Sequence, residues 1–327
     1  MLVIGRSEVR ALLDLDALID ALAAAMADLT AGRASAPARV AAFVEEHDGF
    51  SAAMPGYVPS RGALATKLVT LFPRNAPPVP THQALIAVFD PATGTPVALM
   101  DGTEITATRT AACSALSARL LAREDAGVLA VLGTGVQART HARAIPHVRP
   151  IREIRVAGRD AAKATATARE LADELDVPVR ASESFAAASR DADIVCATTA
   201  ADEPVVRLAW LRPGVHVTSV GFSVTGREID DDTVAAARLC VESRSAVLAP
   251  PPAGSNDVID PIRRGVVGAD HIHAELGELI LGRRPGRTSP DQITLYKSVG
   301  VAVQDAAAAA LVLDAARSRG VGREIDL

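Results

Sequence analysis

Strand-like and helix-like segments alternate from Ala126 to about residue 300, and this alternation limits the folds that the chain can adopt. Ala126–Leu132 is an uninterrupted apolar run, as expected of a strand covered on both faces. The further predicted strands are Ile154–Ala157, Val177–Val179, Asp193–Ala197, Val215–Val220, Leu239–Val241 and Ile293–Tyr296, and the predicted helices are Val136–Ile145, Ala161–Leu175 and Ala269–Leu281. This order predicts βαβ units that build a parallel sheet.

The residues before Asp125 follow a different pattern. Apolar positions between Leu15 and Leu29 recur at helical spacing. Short strand-like runs then alternate with turn residues, which predicts an antiparallel meander. The runs are Arg39–Val44, Phe50–Met54, Ala65–Phe72, Gln83–Phe89 and Pro96–Met100. A helix over Thr106–Arg123 and a long C-terminal helix over Val299–Arg317 complete the expected elements.

Length, charge and cysteine usage exclude several classes of protein. The chain has 327 residues, 49% of them hydrophobic, and a single core usually stops growing at about 250–300 residues. A net charge of -5 argues against a nucleic-acid or anionic-membrane surface. The N-terminus lacks a signal-peptide pattern, and no apolar run is long enough to span a membrane. Three widely spaced cysteines predict reduced thiols. We therefore expect a cytoplasmic protein of two lobes with no metal site, no nucleic-acid partner and no membrane contact.

A glycine-rich turn follows the first strand of the alternating part. Its residues are Gly133, Thr134, Gly135, Val136, Gln137 and Ala138. They fit a G-x-G-x-x-A fingerprint between a buried strand and a helix. The first glycine permits the tight turn, the second lets the backbone approach a pyrophosphate, and free N–H groups at the helix start face the phosphates. The turn therefore predicts a bound nicotinamide dinucleotide, with Gly133 to Gln137 among its contacts.

The end of the second predicted strand bears on the type of dinucleotide. NAD sites usually place Asp or Glu there, to bind the ribose hydroxyls. Here Ile154–Ala157 is followed by Gly158 and Arg159, and Asp160 comes one residue late, where it suits the cap of the next helix. Arg159 can pair with a 2′-phosphate, or it is a solvated turn residue. The sequence favours NADP as the cofactor, and NAD stays possible.

Several separate motifs occur in a defined order along the chain. They are Lys67–Pro73, Phe89–Gly94, Leu99–Gly102, Thr106–Ala112, the glycine turn, Glu275–Glu278 and Lys297–Gly300. In this order they resemble the ornithine cyclodeaminase/mu-crystallin family over nearly the whole chain. The resemblance implies an α/β fold in which a Rossmann dinucleotide-binding domain, residues 123–299, is inserted in an α+β domain. That second domain, residues 1–122 plus 300–327, is expected to bind substrate and to form a homodimer.

The resemblance also implies a reaction class and a substrate site. The reaction is reduction, or redox-assisted cyclisation, of small α-amino or α-imino acids. Arg39, Lys67 and Arg109 match the family's ligands for the substrate carboxylate. For the proton that the C=N bond needs, our candidate donor is Lys67 or a water that it orients. From the residues alone, Arg109 lies near a predicted helix start, where an anion is favoured. Lys67 lies among apolar strand residues. It is either a half-buried functional group or a residue on the solvent-exposed face of the strand. For His82, before the strand Gln83–Phe89, a hydrogen-bonded structural role is favoured, and a place in the substrate site is the alternative.

One position departs from the cyclodeaminases of the family. In those members an Asp follows the Val-Gly of the fifth Rossmann strand and serves as acid and base. Here Ser223 takes that place, and a hydroxyl is no general base near neutral pH without activation. The further expected cofactor contacts in this part of the chain are Thr199, Val220, Gly221 and Lys297.

The sequence therefore favours an oxidoreductase, an NAD(P)H-dependent reductase of small α-imino acids. Two alternatives stay open. One is an amino-acid cyclodeaminase that releases ammonia. The other is a non-catalytic, NADPH-dependent binder of small ligands.

Overall fold

The computed structural model describes residues 1–76, 78–250 and 253–326. The chain forms two compact units, one made of Met1–Arg109 and Gly300–Leu327 and the other of Thr110–Val299. The second unit is thus inserted into the first along the chain. The predicted domain boundary after residue 122 lies just beyond the end of the helix Gly102–Leu121, whereas the two units divide within that helix, after Arg109. Residue 327 of the predicted C-terminal segment lies outside the described residues. The binding and dimerisation roles of the first unit stay a prediction.

The described residues form fifteen strands and eleven α-helices. The strands are β1 (Leu2–Ile4), β2 (Val40–Val44), β3 (Gly49–Val58), β4 (Ala63–Leu71), β5 (His82–Phe89), β6 (Pro96–Asp101), β7 (Val128–Leu132), β8 (Glu153–Ala157), β9 (Val179–Ala181), β10 (Ile194–Ala197), β11 (His216–Ser219), β12 (Arg238–Val241), β13 (Ile272–Glu275), β14 (Thr294–Lys297) and β15 (Arg323–Glu324). The helices are α1 (Arg6–Leu12), α2 (Leu15–Thr30), α3 (Gly102–Leu121), α4 (Val136–Ala144), α5 (Ala161–Glu174), α6 (Phe185–Ser189), α7 (Asp231–Ala236), α8 (Arg244–Val247), α9 (Asn256–Arg263), α10 (Leu276–Ile280) and α11 (Ala302–Arg319). The predicted α/β class with an inserted Rossmann fold is confirmed.

The first unit is built on a seven-stranded sheet with the order β15-β1-β6-β5-β4-β3-β2. Neighbours from β2 to β6 are antiparallel, as the predicted meander requires, whereas β1 lies parallel to β6. Helix α11 packs against β3, β4 and α2. The five successive alanines Ala306–Ala310 are all buried, so their small side chains let this helix lie close to its neighbours.

Alternation along β4 decides which of its side chains face the interior. Ala63, Ala65, Lys67 and Val69 are buried, whereas Leu68 is exposed. Successive side chains of a strand point to opposite faces, so Lys67 lies on the inner face with its small apolar neighbours. Leu68 points to the opposite, outer face of the sheet.

The second unit contains eight parallel strands in the order β13-β12-β14-β11-β10-β7-β8-β9. The chain runs outward from β7 through β8 to β9 and then returns to place β10 on the other side of β7. This reversal is a topological switch point, where such sheets bind ligands beyond the carboxyl ends of their strands. Leu129–Leu132 is fully buried, as predicted for a strand covered on both faces.

The prediction of one continuous helix over Ala269–Leu281 is wrong. The structure has strand β13 followed by the short helix α10. Strand β13 pairs with β12, and its residues alternate between buried and half-buried. Reciprocal hydrogen bonds between Glu275 and Glu278 start α10. Pairing with a strand that is distant in sequence therefore overrides the local helical pattern.

Two histidines are fully buried in the second unit, His141 on α4 and His216 on β11. The ring of His141 contacts the hydroxyl of Ser114 at 2.9 Å. The ring of His216 contacts the hydroxyls of Ser117 at 3.1 Å and Thr294 at 2.9 Å. Burial lowers the pKa of His141 to about 4 and that of His216 to about 3. Both rings are therefore neutral at pH 7.

We expect the free energy of unfolding to fall as the pH is lowered from 7 to 5. The folded-state pKa of each ring is depressed, so its contribution is complete above the unfolded pKa of about 6.5 and is lost towards pH 4. At pH 5 the loss is about 2 kcal/mol for each histidine. The free energy of unfolding can be measured with urea at pH 7 and at pH 5. Between these two pH values it should fall by about 2 kcal/mol less in His141→Gln than in the unmodified protein.

The same substitution at the exposed His47 is the control for this comparison. Equal losses in all three proteins would show that the buried rings do not govern the acid response.

Candidate functional site

Basic side chains of the first unit gather around one buried acid. Lys67 Nζ lies 2.7 Å from Asp305 Oδ2, and Arg109 Nε lies 3.0 Å from Asp305 Oδ1. All three residues are buried. Arg39 donates a hydrogen bond to the carbonyl of Gly300 at 3.1 Å, and its charge also acts on Lys67. We call Arg39, Lys67, Arg109 and Asp305 the cationic cluster. The predicted carboxylate ligands thus lie together in the structure.

The position of Arg109 differs from its prediction. Helix α3 begins at Gly102, so Arg109 lies about two turns inside the helix, beyond the amides at its N-terminus. Its guanidinium is held instead by Asp305 and by the side-chain oxygen of Gln304, at 2.5 Å. Gly300 has a φ of 75°, and a Cβ there would lie 2.9 Å from both terminal nitrogens of Arg109. The glycine is therefore needed for this close approach.

The protonation states of the cluster follow from burial and mutual charge. Burial lowers the pKa of Lys67 to about 8, with Asp305 opposing the shift and Arg109 adding to it. Burial also disfavours the charged form of Asp305, but Arg109 and Lys67 hold the pKa of that carboxyl below its usual range. Burial, followed by the charges of Lys67 and Arg109, lowers the pKa of His82 to about 4. Near neutral pH the cluster therefore holds a protonated Lys67, and His82, on which its charges act, is neutral.

Asp305 is absent from the predicted site. It lies in the first turn of α11, directly before a run of alanines. Asp305 is fully buried beside this alanine run and needs a cation, because an unpaired buried charge is costly. The isolated charge in that apolar run was the available signal, but it does not identify the partner.

The glycine turn of the second unit has the features that a pyrophosphate needs. Gly133 has a φ of 135°, which favours glycine, and Gly135 precedes the first turn of α4 without a side-chain cap. The first N–H groups of α4 are therefore available to an anion. Nothing lies within 4 Å of a Cβ built on Gly135, so the approach to the turn is open.

A cavity of about 280 Å³ lies over this turn. Its lining residues are Gly133, Thr134, Gly135, Gly158, Arg159, Asp160, Lys163, Phe185, Thr198, Thr199, Ala200, Ala201 and Val205. Of the predicted cofactor contacts, six belong to this lining: Gly133, Thr134, Gly135, Gly158, Arg159 and Thr199. Lys163, in the first turn of the following helix α5, is a lining residue outside the predicted set. Asp160 accepts a hydrogen bond from the Lys163 N–H at 3.1 Å and caps α5, as predicted.

The remaining predicted cofactor contacts lie outside that lining. Val136 and Gln137 form the start of α4, and Val220 and Gly221 follow β11. Lys297 is buried at the end of β14, where its ammonium donates hydrogen bonds to the Ser219 hydroxyl and the Gly221 carbonyl, both at 2.9 Å. The structure therefore places Lys297 within a protein-internal network.

Ser223 closes a local turn. Its hydroxyl accepts a hydrogen bond from the Gly226 N–H at 2.9 Å. Across the described residues, no group of His, Cys, Asp or Glu is arranged to hold a metal ion. Within the same ranges, no helix is long and apolar enough to cross a membrane.

The parallel sheet, its switch point and the glycine turn define a Rossmann-type protein. The chain belongs to the ornithine cyclodeaminase/mu-crystallin family, whose family model matches residues 1–320. The resemblance noted in the sequence is thereby confirmed.

Three relatives illustrate the similarity. Ketimine reductase mu-crystallin of Mus musculus is 38% identical over 302 residues, 91% of each protein. The structure of Thermococcus litoralis Δ1-pyrroline-2-carboxylate reductase in complex with NADH and L-proline has a TM-score of 0.95 at 39% identity, covering 99% of this chain and 100% of that one. An archaeal alanine dehydrogenase dimer with bound NAD has a TM-score of 0.92 at 29% identity, covering 100% and 99%.

Proposed function

We propose that the protein is an NAD(P)H-dependent reductase of small α-imino acids. The observation that carries this proposal is that two buried cations, Lys67 and Arg109, share a single carboxylate, that of Asp305. Excess positive charge in a buried place is costly unless an anion compensates it. The carboxylate of an α-imino acid supplies that anion. Relatives that are a ketimine reductase and a pyrroline-2-carboxylate reductase with L-proline support this substrate class.

The chain's own residues bind, orient and protonate the substrate in this proposal. Arg109 and Arg39 hold the carboxylate and so fix the C=N carbon for reduction. The reduced dinucleotide, when bound, supplies a hydride and leaves as its oxidised form. Lys67 is the donor of the proton to the imine nitrogen, since its pKa of about 8 keeps it protonated yet acidic near neutral pH. One hydride and one proton convert the C=N bond into CH–NH.

A panel of cyclic and linear α-imino acids with NADPH or NADH tests the reaction, followed by the absorbance of the reduced cofactor. We expect a cyclic imino acid to be reduced. Ornithine should give neither proline nor ammonia, because Ser223 provides no carboxylate for that chemistry. Ammonia release from ornithine with catalytic NAD would establish a cyclodeaminase. Cofactor binding without turnover of any imino acid would establish a ligand binder.

Arg109→Lys separates substrate alignment from cofactor binding in the same assay. It keeps the charge but removes the planar fork, so kcat/KM should fall by roughly a hundredfold. The Kd for NADPH should not change. Arg74→Lys, at an exposed position, is the matched control. An unchanged kcat/KM in Arg109→Lys would show that Arg109 does not bind the substrate.

NADP is the proposed cofactor, in preference to NAD. Two cations, Arg159 and Lys163, line the same cavity as Gly158. Asp160, also in the lining, caps α5 and lies 3.9 Å from the Lys163 ammonium. A pair of cations suits a 2′-phosphate, whereas a carboxylate at the strand end would suit ribose hydroxyls. The relatives solved with NADH and NAD support the nicotinamide dinucleotide in general.

We expect the Kd for NADPH to be lower than the Kd for NADH. Arg159→Ala should reduce the ratio of the two Kd values by about tenfold or more, because it removes a charge-assisted contact to the 2′-phosphate. Titration of each reduced cofactor by its fluorescence measures both values. Arg180→Ala is the control, since Arg180 is exposed and pairs with Glu153 on a neighbouring strand. Equal affinities of the unmodified protein for NADPH and NADH would refute the preference.

We also propose that two copies of the chain form a homodimer through the outer face of the first unit's sheet. Val40, Ala53, Leu68 and Leu85 form one row across four strands, because each is paired with the next in register. Val40 is 73% exposed, Leu68 47% and Leu85 50%. A contiguous exposed apolar row typically marks an interface. The archaeal relative that forms a dimer supports a second copy of the chain as the partner.

Leu68→Glu and Leu85→Glu should convert the dimer to a monomer, because each places a charge in the apolar contact. Light scattering after size-exclusion chromatography gives the mass. Val266→Glu, at an exposed apolar position of the second unit, is the control and should leave the dimer intact. A monomer of the unmodified protein at every concentration would disprove the interface.

A further inference from the structure

A second group of buried charges lies in the second unit, at the carboxyl ends of β11 and β14. Its members are Glu228, Asp257 and Lys297, each at most 4% exposed. Lys297 Nζ lies 2.8 Å from Asp257 Oδ2 and 4.0 Å from Glu228 Oε2. We call these three residues the buried charge network. Two carboxylates and one ammonium give the network a net charge of one negative unit.

Hydrogen bonds identify the charged form of Glu228. One of its oxygens accepts bonds from the N–H and the hydroxyl of Thr199, at 2.6 and 2.7 Å. The other accepts from the Ser219 hydroxyl at 2.7 Å and the Gly221 N–H at 2.8 Å. Ser219 itself accepts from Lys297, so its proton points to Glu228. Burial raises the pKa of Glu228, but a carboxyl that meets donors on both oxygens is held as the anion.

Asp257 is charged for a similar reason. Its Oδ1 accepts hydrogen bonds from the N–H groups of Glu228 and Ile229, at 2.7 and 2.8 Å. Its Oδ2 faces Lys297. The three side chains are thus buried, and their charged atoms are paired with groups of the protein.

The network lies at the strand ends where the nicotinamide half of a bound dinucleotide is expected. Thr199 and Gly221, which Glu228 binds, come two residues after the ends of β10 and β11. A dinucleotide crosses the switch point between β7 and β10, with one mononucleotide over each half of the sheet. Arg159 follows β8 and marks the adenosine half, so the nicotinamide half belongs to the side of β10 and β11.

We propose that the buried charge network stabilises the oxidised cofactor and the positive charge that develops on its nicotinamide ring during hydride donation. The inference rests on the proposed function. The reduced ring is neutral and the oxidised ring carries one positive charge, so a fixed anion favours the oxidised form. Because the network is already ordered, it provides this field without reorganising during the reaction. Glu228 acts through Thr199, Gly221 and its field, so it is a positioning residue.

The ratio of two dissociation constants tests this role. Kd is measured by calorimetry for NADP+ and for NADPH with the unmodified protein, Glu228→Gln and Glu228→Asp. Glu228→Gln removes the charge and should raise the ratio of the NADP+ value to the NADPH value by about fivefold or more. Glu228→Asp keeps the charge and should keep the ratio, even where both affinities fall. A purely structural role would change both constants by one common factor.

Two further variants make the test decisive. Ser219→Ala removes a hydrogen bond from the network without changing its charge, so its ratio should equal that of the unmodified protein. Asp257→Asn removes the other negative charge and should shift the ratio in the same direction as Glu228→Gln, which covers the case in which Glu228→Gln does not fold. Folding of each variant is checked by circular dichroism.

Unchanged ratios in the folded charge-removing variants would overturn the inference, and so would an equal shift in Ser219→Ala. These outcomes leave the proposed function intact, because both cofactors still bind. Failure of the unmodified protein to bind either cofactor would instead overturn the proposed function and this inference together.

Discussion

The ion pair between Lys67 and Asp305 is the constraint on which the arrangement of the first unit depends. Each partner is buried, and a buried charge without its partner destabilises a fold by several kcal/mol, roughly 3–5. A slip of β4 by one residue would carry Lys67 to the outer face and leave Asp305 without its lysine. The same pair therefore specifies the register of the strand against α11 and prepares the charged site. The register of the strand and the proposed substrate binding thus depend on the same two side chains.

Local motifs were predictable from the sequence to the extent that their chemistry is local. The glycine turn, the apolar strand before it and the Asp160 cap depend on residues close in sequence, and all three occur as expected. The face on which Lys67 lies depends on which alternate residues of β4 are buried. The apolar neighbours in the sequence do not decide this, because they occur on both faces of the strand. Asp305 could not be assigned as its partner, because helix α11 comes from the other end of the chain. Strand β13 was missed for a related reason, since its pairing partner is a separate strand.

Lys297 shows how far the surroundings of a buried lysine depend on distant parts of the chain. In the sequence it belongs to the Lys297–Gly300 motif of the family resemblance and is an expected cofactor contact. The groups that neutralise it, Glu228 and Asp257, lie elsewhere in the chain and approach it only after the sheet has formed. A buried lysine requires such acids, because its desolvation is costly. Its role is therefore set by tertiary neighbours that no local pattern reveals.

The two buried charge groups carry opposite signs, and the proposed reaction has a use for each. Lys67 and Arg109 outnumber the acid they share, so in the proposed reaction they would present positive charge to an anionic substrate. Glu228 and Asp257 outnumber Lys297, so they would present negative charge to a cofactor that becomes positive. Hydride transfer moves positive charge from a protonated imine to the nicotinamide ring, and fixed charges lower its barrier most when they are already oriented. Each of these groups is held by hydrogen bonds or ion pairs before any ligand binds, so the charges that this chemistry needs are a property of the fold itself.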